Sequence, residues 1–250
     1  MDLRWGILAG YGPLFAHGLW ATVELTIVAI TAGLLLGVLL GLISSSRDAP
    51  PPKSAPLGWA LKAARALTLG YVTFFRGTPL FVQILLVHFA VMPTLIHPDG
   101  GLLLTGEAAR EFRQSYGAFF SGALALTLNA GAYISEIFRA GIQSIHTGQT
   151  QAAYSLGLTH GQSMRFVVLP QAFRRMMPAL VNEGITLIKD SSLVSAIGFA
   201  ELALAARTVA GAYSRYWEPY LAISALYLVL TLLLSSLAKR LEAPAHLRGR

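Results

Sequence analysis

The sequence predicts an all-α protein that crosses a membrane five times, and three observations carry that prediction. Hydrophobic residues make up 54% of the 250-residue chain and charged residues only 12%, against about a quarter in soluble domains; mean hydropathy is +0.58. Apolar runs near 18–43, 77–96, 117–138, 181–204 and 219–238 are each long enough for a hydrocarbon core of about 30 Å. The net charge of +7 comes from Lys and Arg gathered at the ends of these runs. That placement fits membrane topology and argues against a nucleic-acid partner, which would need basic residues along one face. The whole chain, 1–250, reads as one transmembrane domain surrounded by lipid. It has no cysteine, which excludes disulfides and thiolate metal sites.

The first sixteen residues carry Asp2 and one basic residue, Arg4. Without a basic leader or a small-residue cleavage site, no removed signal peptide is expected. The first span, 18–43, measures about 39 Å as a helix. Gly33, Gly37 and Gly41 fall at steps of four, a face on which another helix can approach closely. Glu24 lies about two turns in, where it either reaches the interface or faces a pore.

Pro50, Pro51, Pro52 and Pro56 make 47–57 a loop. The following 40 residues, 57–96, exceed one straight crossing. Their first half, with Lys62 and Arg65, is expected to form an interfacial or protruding helix. Gly77-Thr78-Pro79 then interrupts the pattern, and 77–96 completes the second span. Residues 97–115 are polar and are expected to form an external loop with a short helix from Glu107. The third span, 117–138, holds Asn129 near its middle. An Asn there either bonds across to a neighbouring helix or contacts a solute.

Between the third and fourth spans, 147–178 is too polar for lipid and too regular for a slack loop. Gln151 to Leu156 reads as a short helix that Gly157 closes in a left-handed cap. Thr159, with Gln162 three residues on, is a capping-box start for a second short helix. The fourth span, 181–204, is unusual. Glu183, Thr186, Lys189 and Asp190 share one helical face with Asn182. Lys or Asp at a span centre costs roughly 2.5–3.5 kcal/mol on insertion scales. Such residues either pair with one another or line a wet cavity. Residues 205–217 are expected to form an external connection before the fifth span, 219–238.

With 147–178 inside, twelve Lys and Arg fall on inner segments and five on outer ones (Arg4, Arg110, Arg113, Arg207 and Arg215). The positive-inside rule then places the N-terminus outside and the C-terminus in the cytoplasm. No phosphate-binding G-x-x-x-x-G-K-[ST] loop or G-x-S-x-G elbow occurs, and the six histidines fall at no metal-ligand spacing. No catalytic residue, metal or cofactor is expected.

The spacing Gln151-Ala152-Ala153, Gly157, then Val167-x-Leu169-Pro170 resembles the EAA loop of ABC-importer permeases. Phe75-Arg76-Gly77-Thr78-Pro79, Asn129-Ala130-Gly131-Ala132-Tyr133 and Lys189-Asp190-Ser191-Ser192-Leu193 resemble the polar amino acid subfamily, the histidine, glutamine and arginine type. The resemblance covers roughly 22–241. It implies a permease subunit in a bacterial inner membrane, with ATP bound by separate ATPase subunits that dock on the cytoplasmic loop through Gln151, Ala152, Ala153, Gly157, Leu169 and Pro170. It also implies a solute-binding protein outside and a second permease subunit, identical or similar. The family's usual Glu at the first loop position is Gln151 here, which removes a charge from the docking surface. A polar amino acid needs both signs of charge, so Asn129, Glu183, Thr186, Lys189, Asp190, Ser192 and Glu24 are the candidate substrate contacts. Another small polar solute, such as an opine or amino acid derivative, fits the same pattern. An ion-coupled carrier would explain the buried charges but not the structured loop, and a membrane enzyme would need a nucleophile–base pair that is not apparent.

Overall fold

The computed structural model describes residues 3–45 and 54–242, and nearly all of them are helical. Arg47, Lys53 and most of the proline-rich loop lie outside the described residues, as do His246, Arg248 and Arg250 of the basic C-terminus. After a 3-10 segment, Trp5–Tyr11, helix α1 runs through Gly12–Ser45. Helix α2 is Ala55–Gly77 and α3 is Leu80–Leu86, separated at Thr78 and Pro79. A π turn, Val87–Val91, leads into α4, Met92–Leu95. Helix α5 is Gly106–Gln143 and α6 is Thr147–Ser155. Helix α7, His160–Ser163, continues through a π turn, Met164–Val168, into α8, Leu169–Asp190. A 3-10 segment, Ser191–Ile197, then precedes α9, Leu202–Tyr213, and α10, Trp217–Glu242.

Both π turns end two residues before a proline, Pro93 and Pro170. Proline offers no N–H to the carbonyl four residues back. The ladder ahead of it widens by one residue instead of breaking.

Four stretches differ from the sequence expectation. The external loop at 97–115 is helical from Gly106, and α5 continues without interruption into the third apolar run. Between Glu107 and Tyr116 lie Ala, Glu, Arg and Gln with no Gly or Pro, so propensity favours helix despite the polarity. The second short helix, begun at His160, is the start of a long one that reaches Ile197. The fourth apolar run is not one helix: Gly198 adopts φ 85° and ends it, and Glu201 starts α9. The expected external connection at 205–217 is therefore mostly α9, with Ala205, Ala206, Val209 and Ala210 buried.

Three helices, within Trp5–Ser45, Gly106–Gln143 and Trp217–Ala238, are long and apolar enough to cross a membrane. Two broken pairs meet the same criterion together, Ala55–Gly77 with Leu80–Leu95 and His160–Ile197 with Leu202–Tyr213, so the described residues supply three to five candidate spans.

The helices pack into two units whose boundaries fall inside α1, α5, α8 and α10 and at the break after α2. The first comprises Met1–Thr31, Thr78–Thr127 and Gly184–Leu237. One core there gathers Leu202, Ala206 and Ile223 with Phe15 and Leu19. Glu201, fully buried, accepts bonds from the N–H groups of Ala203 and Leu204, each at 2.9 Å, and from the Tyr227 hydroxyl at 2.7 Å. It thus satisfies two orphan donors of α9 and ties α10 to them. Gly18 lets α1 approach this turn: a Cβ there would stand 3.1 Å from the Glu201 carbonyl carbon.

The second unit comprises Ala32–Gly77, Leu128–Glu183 and Ala238–Arg250. Its core gathers Phe138, Ile145, Val168, Ala172 and Met176. Gly37 and Gly41 of the stepped glycine face lie against Ile134 and Phe138 of α5, and a Cβ on Gly41 would meet Phe138 at 2.7 Å. That spacing serves close helix packing. Tyr71 donates its hydroxyl to the Leu128 carbonyl, and Asn129 Nδ2 donates to the Phe75 carbonyl at 3.3 Å. Both bonds fasten α2 to α5 just before the break at Thr78.

Candidate functional site

Two features have the form of functional sites, one in each unit. In the second unit, α6 and α7 form a braced helix–turn–helix. Gly157 takes φ 82°. Its N–H donates to the Tyr154 carbonyl at 2.9 Å, and Leu158 N–H donates to the Ala153 carbonyl at 3.1 Å. That 5→2 and 6→1 pair is a Schellman cap, which a left-handed glycine makes without Cβ strain. Thr159 and Gln162 then form a full capping box at the start of α7. Tyr154 Oη and His160 Nδ1 lie 2.8 Å apart across the turn, and Gln171 Nε2 donates to Gln149 Oε1 at 3.3 Å. Arg175 reaches the Ser144 carbonyl.

The braces hold an apolar surface outward. Leu156 is 83% exposed and Phe166 63%, with Tyr154 and Phe173 also exposed. A leucine held at that exposure by a rigid turn has the form of a docking knob. Among the six residues expected to couple to an ATPase, Gln151, Ala152, Gly157 and Pro170 are exposed. Ala153 is buried and Leu169 packs against the core beneath, so these two support the surface from inside.

In the first unit, a cavity of about 530 Å³ carries both signs of charge. His17 and Glu24 of α1, His88 of the first π turn, and Arg113 and Gln114 of α5 line it, with the Gly198–Ala200 break on another wall. His88 Nδ1 lies 2.9 Å from Ser121 Oγ, which itself donates to the Gly117 carbonyl at 2.7 Å. A carboxylate and a guanidinium on the walls of one cavity suit a dipolar solute: ammonium toward Glu24, carboxylate toward Arg113.

Of the seven residues expected to contact substrate, Glu24 lines this cavity. Asn129 is buried and uses its amide to hold α2, as a cross-helix bond does. Glu183, Thr186 and Asp190 are half-buried, whereas Lys189 is exposed. Among the described residues neither Lys189 nor Asp190 forms a salt bridge. Ser192 Oγ donates to the Lys189 carbonyl at 2.6 Å, inside the 3-10 segment. The stripe is thus divided by the change of helix type after Asp190. His17, His88, Arg113 and Gln114 were not singled out by sequence. The step of seven from His17 to Glu24 placed both on one face of α1. Arg113 falls in the polar segment 97–115, where only a short helix from Glu107 is expected, and the uninterrupted α5 is what carries it to this wall.

Comparison with known proteins agrees with this architecture. The family model described as "Binding-protein-dependent transport system inner membrane component" matches residues 55–244. The arginine transport system permease protein ArtQ of Bacillus subtilis (strain 168) is 35% identical over 232 residues, covering 92% of this chain and 91% of that one. The glutamate/aspartate import permease protein GltK of Escherichia coli O6:H1 is 34% identical over 241 residues, covering 96% and 97%. Among solved structures, one described as an amino acid ABC transporter with histidines superposes with a TM-score of 0.76 at 37% identity, covering 97% of this chain and 99% of that one. The chain belongs to the family of inner membrane components of binding-protein-dependent transport systems.

Proposed function

We propose that the chain is the permease subunit of an ATP-driven importer for polar amino acids. The observation that carries this reading is the braced α6–α7 pair with Leu156 at its tip. A self-contained carrier has no use for a rigid apolar knob outside the membrane, whereas a permease driven by another subunit needs one. ATPase subunits dock there from the cytoplasm and bind the ATP. A solute-binding protein delivers cargo on the other side, and a second permease subunit, identical or similar, completes the pore. Five spans, with the N-terminus outside and the C-terminus inside, accord with the charge count. The relatives named for arginine and for glutamate and aspartate support an amino acid cargo. Glu24 and Arg113 on the walls of one cavity support its zwitterionic form. ATP-driven closure of the ATPase pair moves the docking helices, and the spans tilt between inward-open and outward-open states.

The test is uptake of labelled arginine or glutamate into liposomes holding the assembled complex and its binding protein. Uptake should require ATP. Leu156→Asp should abolish it while the variant still inserts, and Glu24→Gln should weaken uptake while ATP hydrolysis without solute persists. Uptake driven by an ion gradient without ATP would overturn the reading.

A further inference from the structure

Beside the mixed-charge cavity of the first unit lies a smaller one, of about 320 Å³. Small-molecule sites occupy roughly 300–1,000 Å³. His88, Arg113 and Gln114 line both cavities, so one wall serves the two. The smaller cavity adds Pro98, Arg110 and Ser121, and no carboxylate lines it. Glu24 lines the larger one alone.

Two groups on the shared wall keep bonding capacity. Arg110 is paired with Glu107 at 3.4 Å, one turn away on α5. Arg113 forms no hydrogen bond or ion pair among the described residues, and its guanidinium fork matches a carboxylate. His88 is held by one nitrogen. Ser121 Oγ gives its single proton to the Gly117 carbonyl at 2.7 Å, so toward His88 it only accepts. Nδ1 is therefore the donor across the 2.9 Å contact, and in the neutral ring Nε2 is left as a bare acceptor. No group among the described residues bonds to Nε2. A free acceptor and a free guanidinium on one wall complement the ammonium and the carboxylate of an amino acid.

We propose that the smaller cavity is an outer station for the solute, with its carboxylate on Arg113 and its ammonium on His88 Nε2. Arg113 keeps the carboxylate while the ammonium passes to Glu24, so the solute changes cavities without leaving its guanidinium. The order of the two stations rests on the transport reading, which places Pro98 on the outer side.

The test is equilibrium binding of labelled arginine and labelled glutamate to the purified permease–ATPase complex, at about pH 8, where an imidazole is neutral. Glu24→Gln weakens the inner station, so binding should fall but persist. On that background His88→Asn, whose amide still donates to Ser121 in place of Nδ1, should cost about a further tenfold. That is the low end for one hydrogen bond to a charged group. His88→Gln, whose amide oxygen replaces Nε2 as acceptor, should stay within about twofold. Thermal unfolding should run the other way, with His88→Gln the less stable because it loses the Ser121 bond. A purely structural histidine would instead make binding follow stability. The loss in His88→Asn should be equal for arginine and glutamate, which carry the same ammonium and carboxylate. Binding that follows the Ser121 bond, a loss confined to one of the two solutes, or no binding left in Glu24→Gln alone overturns the proposal. Each of these results leaves the transport reading intact, which falls instead if uptake by the parent complex needs no ATP.

Discussion

Gly157 and Gly198 hold nearly the same backbone angle, φ 82° and 85°, and at neither would a Cβ meet another atom within 4 Å. What surrounds them differs. Around Gly157 the turn is held by its own Schellman bonds and a capping box, and Leu156 beside it projects outward. Past Gly198 the next helix begins on a buried carboxylate, Glu201, and Leu202 N–H reaches Thr22 Oγ1 of α1 at 3.3 Å. An exposed turn satisfies itself locally and leaves its side chains for a partner. The buried start of α9, three residues past the exposed Gly198, is tied instead to neighbouring helices, through Tyr227 of α10 and Thr22 of α1. Damage to the first should appear in coupling, and damage to the second in stability.

The largest effect is expected at Glu201. Its replacement by alanine leaves the Ala203 and Leu204 N–H groups and the Tyr227 hydroxyl without their acceptor. Losing a helix cap and burying unsatisfied donors together cost about 3 kcal/mol. Thermal unfolding of the purified complex should shift down sharply in Glu201→Ala and less in Glu201→Gln, whose amide oxygen still accepts. Unchanged melting in Glu201→Ala would show that water reaches the turn and that the contrast with Gly157 is wrong.

The glycines themselves come next. Because neither site crowds a Cβ, valine at each position costs only the left-handed backbone penalty, about 1–2 kcal/mol. Gly198→Val should lower the unfolding free energy by that amount, read as a lower melting temperature, and leave the ATPase response per folded complex intact. Gly157→Val should barely move global unfolding, since an exposed turn opens locally, yet it should uncouple ATP hydrolysis from uptake. Normal solute-stimulated ATPase activity in Gly157→Val sinks the docking role of this turn.

The same contrast explains which parts of the chain were readable from sequence. The α6–α7 turn is legible because its signals are local: Gly157 ends one helix, and the Thr159–Gln162 pair starts another. At Gly198 and Glu201 the stop and start signals were present too, but they lay inside an apolar run whose hydropathy indicated one continuous span. Hydropathy measures the solvent a segment suits and not whether its helix is unbroken. The mixed-charge cavity was the least legible feature. Glu24 was visible as a charge in a span, but Arg113 became a partner only once α5 extended back to Gly106. Residues brought together from different helices leave no spacing in the sequence to read.

The smallest effect is expected at Gln151. It is exposed midway along α6, and its backbone carbonyl accepts from Ser155 Oγ at 3.1 Å. Glutamate has nearly the same helix propensity, and the side chain has no buried group to disturb, so Gln151→Glu should leave unfolding within about 0.5 kcal/mol of the parent. The coupled ATPase rate should stay within about twofold, the size of effect expected from one solvated charge at a contact surface. That small response would sharpen the contrast, because it places the coupling energy in the shape set by Gly157 and Leu156 and not in a charge at the first position. A loss of coupling as deep as that of Gly157→Val would instead mean that the partner's surface is matched to a neutral side chain at 151, and that charge, as well as shape, governs the docking.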